Sequence, residues 1–275
     1  MSITRIVSGA ALVVILVGTV VFLPPWATVA LAALAAVAAA IELAALARKI
    51  GAVVPGLLVA VSSATMTLII GLSPTGTDDM WRGIDVPLDL VILSVTIAAG
   101  LVALALNPPG PPVFGAAGVM VLAPFYIGLP LGTMSWLVAS HAPELLGWLI
   151  AVIAVSDSFQ YFVGSAFGRR KLSPVVSPGK TIEGLVGGLV AAMAAGWLVG
   201  RWAMPGSPGW TLALLALVLS LFGVAGDLFE SLLKRSVGAK DSGAIIPGHG
   251  GVLDRVDAYL FAAPAFYVAV RYLQL

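Results

Sequence analysis

The sequence predicts an all-α, polytopic integral membrane protein with about nine transmembrane helices and a cytoplasmic N-terminus. Three observations carry this expectation. The 275 residues are 60% hydrophobic and 10% charged, whereas soluble domains run near a quarter charged. Apolar stretches of about 17–25 residues, enough to cross about 30 Å of hydrocarbon, recur along the whole chain. Threading them in alternation puts eleven of the fourteen Lys and Arg residues on one side, which the positive-inside rule makes the cytoplasm.

The expected spans are 6–23, 26–46, 52–72, 87–106, 112–131, 145–168, 182–203, 210–229 and 256–273. The first reads as a retained helix rather than a signal peptide, because eight more apolar stretches follow it. "NPPGPP" breaks the chain between the fourth and fifth. Residues 1–140 then supply about five N-terminal helices, and residues 141–275 the helices with cytoplasmic active-site loops, within one integrated membrane domain. The cytoplasmic side holds Arg5, Arg48, Lys49, Arg169, Arg170, Lys171, Lys180, Lys234, Arg235, Lys240 and Arg255; the other side holds Arg82, Arg201 and Arg271. The absence of Cys excludes disulfides, thiolate nucleophiles and Cys-ligated zinc. A net charge of +1 gives no reason to expect nucleic acid as a partner; membrane lipid is the expected one. Glu42 either lines a cavity or pairs with Arg48 or Lys49 by snorkelling, the second being the favoured reading, and His141, Asp78, Asp79 and Asp85 read as incidental.

Charge concentrates in "SLLKRSVGAKDSGAIIPGHGGVLDRVD", Ser231 to Asp257. Just upstream, Asp227, Glu230, Ser231, Lys234 and Arg235 repeat at i, i+3, i+4, i+7 and i+8, one face of a helix end. Glu230 and Lys234 form an i,i+4 pair on it, but no basic residue lies at i+3 or i+4 from Asp227. The glycine-rich segment that follows reads as loop. Gly250 and Gly251 free the backbone to aim amides at an anion, Lys240, His249 and Arg255 flank it, and a helix start near Asp254 to Asp257 adds further donors. Together these read as a phosphate site, with helix capping as the plainer role for Asp254 and Asp257. Carboxylates among phosphates call for a cation between them. Asp227 and Asp254, hard oxygen donors on helices joined by this loop, suit Mg²⁺.

Upstream, Asp157 lies inside the sixth span, where an acidic residue costs about 2.5–3.5 kcal/mol to insert and is a functional candidate by default. Gln160 and Tyr161 share its face at i+3 and i+4. Gly164 and Gly168 read as a helix-packing pair. "SPGKT" is not a P-loop: the glycine required at position 174 is Pro174, and no strand is expected before it. Ser177, Lys180 and Thr181 then stand in a cytoplasmic loop, with Glu183 at the mouth of the seventh span. Arg169, Arg170 and Lys171 fix topology and meet anionic headgroups.

The stretch "SLLKRSVGAKDSGAIIPGHGGVLDRVD" resembles the signature of the phosphatidate cytidylyltransferases, or CDP-diacylglycerol synthases. "DSFQYFVGSAFGRRKLSPVVSPGKTIEG" is similar to that family's second block, departing at Phe159 and Gln160, where a small, Gly-containing pair is commoner. The resemblance covers about Asp157 to Tyr267. It implies transfer of the cytidylyl group from CTP to phosphatidate, Asp227 and Asp254 as Mg²⁺ ligands with room for a second cation such as K⁺, and a homodimer. Lys234, Arg235, Lys240 and Arg255 become candidate phosphate clamps, and His249 a hydrogen-bonding partner of a phosphate. Ser177, Lys180, Thr181, Ser231, Asp241, Gly250, Gly251, Asp157 and Tyr161 fall on the substrate-binding side. The expected location is a bacterial inner (plasma) membrane, with the site facing the cytoplasm. Three rivals stand beside this reading: a related CTP-dependent transferase with another lipid phosphate acceptor, a membrane transporter, and a non-catalytic paralog that binds CTP or lipid, against which Asp227 and Asp254 speak. The transporter fits less well, because the charges gather on one side and no inverted repeat is visible.

Overall fold

The computed structural model describes residues 3–73, 88–140 and 142–273; Asp78, Asp79, Arg82, Asp85 and His141 lie outside them. In chain order the helices are α1 (Ile3–Phe22), α2 (Pro25–Arg48), α3 (Gly56–Gly71), α4 (Leu88–Leu106), α5 (Pro112–Ala123), α6 (Leu129–Ala139), α7 (Pro143–Phe167), α8 (Ile182–Ala203), α9 (Gly209–Ser236) and α10 (Leu253–Leu273). A hairpin of strands β1 (Lys171–Ser173) and β2 (Ser177–Thr181) separates α7 from α8.

Six of these apolar segments are long enough to cross a membrane, with α5 and α6 counted as one run from Pro112 to Ala139. That run is longer than the expected span 112–131. Its interruption has a cause: prolines at 124 and 130 offer no N–H. The turn between them, Pro124–Gly128, widens so that Leu129 N–H bonds Pro124 O, five residues back. Large apolar side chains such as Leu57, Leu104, Phe114 and Trp202 point outward, as lipid-facing residues do. Among the described residues the protein is an all-α integral membrane protein apart from one hairpin.

The chain divides into two compact units: residues 1–141 with 236–256, and residues 142–235 with 257–275. In the first, α2 buries a stripe of small side chains (Ala36, Ala39, Ala40, Ala44 and Ala47) and packs on α3. The α6 side meets α3 at bare backbone: Thr67 Oγ1 donates to Gly128 O at 2.9 Å. A Cβ at Gly132 would lie 2.8 Å from that of Ile70.

In the second unit α7 and α8 pack closely. Gly184, Gly188, Gly196 and Gly200 line the buried side of α8, the small-residue solution to helix contact in lipid. The buried Trp148 donates from Nε1 to Gly196 O at 2.9 Å and lies 5.0 Å from the Phe266 ring. The hairpin pairs Lys171 with Thr181 and Ser173 with Ser177 around a Pro-Val-Val turn. It corrects the expectation of plain loop there. Strands of three and five residues are too short for an alternating pattern to show. "SPGKT" therefore does lie on a strand, though one paired antiparallel, and Pro174 still denies it the P-loop glycine.

Replacing Gly188 by Val tests this packing. The new Cβ would stand 2.7 Å from Ser156 O, and overpacking of this kind costs about 1–3 kcal/mol. A clear fall in melting temperature of the purified protein is expected.

Candidate active site

In the first unit the glycine loop, residues 237–252, folds around carboxylates. Gly248 and Gly250 take φ of 75° and 80°, the left-handed region that glycine enters without strain, and turn the chain tightly on either side of His249. Ile246 N–H bonds Gly250 O at 2.9 Å and His249 N–H bonds Ile246 O at 3.0 Å, closing the turn. His249 is held from α1, since Ser8 Oγ lies 2.7 Å from its Nδ1 and donates to Pro247 O at 3.0 Å.

The amides at the loop's end converge on anions, but the anions belong to the protein. Gly251 N–H donates to Asp254 Oδ2 at 2.8 Å. Val252 N–H donates to Glu42 Oε1 at 3.0 Å and Leu253 N–H to Glu42 Oε2 at 2.9 Å. Ser242 joins the two acids: its N–H reaches Asp254 Oδ2 at 3.0 Å and Oδ1 at 3.2 Å, and its hydroxyl lies 2.9 Å from Asp254 Oδ2 and 3.1 Å from Glu42 Oε2. This corrects the reading of the Gly251 amide as a phosphate donor. It also corrects the place of Glu42, which is 4% exposed and turned into the loop rather than toward Arg48 or Lys49. Lys240, Asp241 and Arg255 stand exposed around this framework, and Gly250 lies against Asp254.

In the second unit Asp227 finds its cation 47 positions away in sequence: Lys180 on β2 forms an ion pair with it. The side chains keep 18% and 28% exposure respectively. Ser231 Oγ reaches Asp227 Oδ1 at a long 3.4 Å. Gly226 lets α9 and α10 approach: a Cβ there would lie 2.5 Å from Asp257 O. Asp257 and Asp157 are both close enough to Asp227 to interact with it electrostatically. Asp257, for which the sequence offers helix capping as the plainer role, is thereby placed beside Asp227 on the neighbouring helix. Asp157 accepts from Gln160 Nε2 at 3.2 Å, whereas Tyr161 turns outward at 71% exposure, edge-on to Phe162.

Thr181 and Lys234, expected at the substrate, and also Glu183 have structural employment. Thr181 is the N-cap of α8, accepting from Gly184 N–H at 3.1 Å. Glu183 receives the N–H groups of Arg169 and Arg170, tying the hairpin's start to α8. Lys234 is paired with Glu230, and both are buried; this confirms the i,i+4 contact and leaves Lys234 poorly exposed as a clamp. Arg235 is exposed, and Ser177 half-buried at the start of β2. Among the described residues no three acidic or His side chains converge as a ready metal cage.

Comparison with known proteins decides the family. Residues 3–273 match the model of the cytidylyltransferase family. This chain belongs to that family. Among its relatives, a Bacillus subtilis (strain 168) phosphatidate cytidylyltransferase is 42% identical over 156 residues, 56% of this chain and 58% of its own. One from Brucella abortus biovar 1 (strain 9-941), of the same name, is 51% identical over 122 residues, 44% of each. An Escherichia coli (strain K12) protein called "Uncharacterized protein YnbB" is 42% identical over 150 residues, 52% of this chain and 49% of its own. The chain spans about half the length of the curated relatives it matches.

In this family member, Gly250→Ala should unsettle the loop. A φ of 80° costs a side chain about 1–2 kcal/mol, and the Cβ would fall 2.6 Å from Asp254 Oδ2. Gly179→Ala, with open space around it, should leave the melting temperature unchanged; Gly250→Ala should lower it.

Proposed function

We propose that this chain is a phosphatidate cytidylyltransferase. A phosphate oxygen of phosphatidate attacks the α-phosphorus of CTP, the bond from that phosphorus to the β-phosphate oxygen breaks, and pyrophosphate leaves. CDP-diacylglycerol remains in the bilayer. The observation that carries this is the family match over residues 3–273, with two relatives that bear the name of this activity.

The phosphate nucleophile is ionised at neutral pH, so the protein's work is to position reactants and offset charge. Asp227 and Asp254, which flank the glycine loop in sequence, are the proposed Mg²⁺ ligands. Their chemistry fits: both are hard oxygen donors of the kind Mg²⁺ takes beside phosphate oxygens, on side chains that are only half-buried. When bound, the ion would neutralise charge on the phosphates and the departing pyrophosphate; a second cation such as K⁺ belongs to the same proposal. Arg235, Lys240 and Arg255, all exposed, are the proposed phosphate clamps. His249, presented by its glycine turn, offers a further hydrogen bond. Lys180 holds Asp227 and lends its charge to the substrate phosphates. Nine spans, a cytoplasmic N-terminus and site, a bacterial inner membrane and a homodimer complete the reading.

The test is transfer of label from α-phosphate-labelled CTP into extractable lipid by the purified protein with phosphatidate and Mg²⁺. Label should appear, vanish with EDTA, and fall on the order of 100-fold or more in Asp227→Asn and Asp254→Asn, the several kcal/mol expected of a lost metal contact. Label entering only a different lipid phosphate would overturn the acceptor. No label in any lipid would overturn the transferase.

A further inference from the structure

Glu42 lies within α2 among Ala39, Ala40, Leu43 and Leu46, all of them buried. An acidic side chain in such surroundings is costly unless donors meet it. Three do, and all come from one segment: Ser242 Oγ, Val252 N–H and Leu253 N–H. The segment is shaped to receive it. A Cβ at Gly243 would lie 2.8 Å from the Glu42 Cδ, and one at Gly251 would lie 2.6 Å from it. Neither glycine has a positive φ, so close approach to this carboxylate is what calls for glycine at both.

Ser242 makes the contact consequential. It is 6% exposed, and its one hydroxyl hydrogen stands between Glu42 Oε2 and Asp254 Oδ2. Leu253 N–H, held by Glu42, opens the helix on which Asp254 is the next residue. Glu42 thus grips the residue before Asp254 and the serine bonded to it.

We propose that Glu42 is a positioning residue for the transfer reaction: through Ser242 and the amides of Val252 and Leu253 it fixes the glycine loop and with it the Asp254 carboxylate. This rests on the cytidylyltransferase reading above, in which Asp254 holds the metal. Glu42 touches neither substrate nor metal in this role. Glu42→Gln keeps the volume but turns one acceptor into a donor that faces the same N–H groups.

The experiment uses the full chain and compares wild type, Glu42→Gln and Ser242→Ala. Hydrogen exchange is read at residues 251–253, Mn²⁺ binding by the free-ion resonance signal, and transfer from labelled CTP against Mg²⁺ concentration. Expected for Glu42→Gln are faster exchange at 251–253, Mn²⁺ binding and Mg²⁺ half-saturation each weakened about tenfold, the effect of about one lost hydrogen bond to a charged group, and a lower kcat at saturating CTP. Ser242→Ala should move the same readings less, and it carries the test if Glu42→Gln does not fold. Unchanged exchange would overturn the proposal. So would faster exchange with unaltered metal dependence and kcat, which is what a purely structural role predicts. If wild type transfers no label, the functional reading fails by itself. Mn²⁺ binding then decides: weaker binding in Glu42→Gln supports the positioning role, and equal binding overturns it.

Discussion

A carboxylate buried in a helix among alanines and leucines has to be met by donors, and Glu42 is met by the glycine loop. The features of the first unit's functional segment follow from that constraint. Leu253 starts α10 because its N–H, one of the donors a helix start leaves without an internal partner, is taken by Glu42 Oε2. Gly243 and Gly251 are small so that the acid can enter, while Gly248 and Gly250 supply the left-handed backbone that turns the chain past His249. Asp254 is then braced by Ser242 and Gly251 rather than left to sample rotamers. Holding reactive groups in place before substrate arrives is most of what a phosphoryl-type transfer asks of its protein.

The second unit solves a related problem with a cation. Asp227 lies near the end of a long apolar helix, and Lys180 reaches it from the short hairpin between α7 and α8. The hairpin is itself fixed by Glu183, which takes the N–H groups of Arg169 and Arg170, and by Thr181, which caps α8. A hairpin tied at both ends can keep a flexible lysine on a chosen carboxylate. Gly226 brings the α10 backbone at Asp257 against the turn that bears Asp227, an approach that depends on the absence of one side chain.

Much of this was legible in the sequence because it is local. The apolar stretches mark the helices, since length and composition alone determine what can lie in lipid. The Glu230–Lys234 pair and the Asp157–Gln160 contact follow from helical spacing. Positive φ in the glycine loop follows from residue type. What could not be read was long-range. Glu42 is 200 residues from Ser242, and α2 by itself favours a snorkelling pair with the basic residues that follow it. Converging amides were foreseen, but whether their anion is a substrate or the protein's own side chain depends on which helix passes beneath. Lys180 likewise has no signal pointing to Asp227, because the hairpin that delivers it has strands too short to announce themselves.

The central proposal is that Asp227 and Asp254 each contribute to holding the reaction's metal while Glu42 stays on the backbone amides. Anomalous diffraction from crystals grown with CTP and Mn²⁺ tests it most directly. The account predicts a manganese peak bound by the carboxylates of Asp227 and Asp254, with Glu42 still accepting from Val252 and Leu253. A peak elsewhere, or one with Glu42 in its coordination shell, would contradict it.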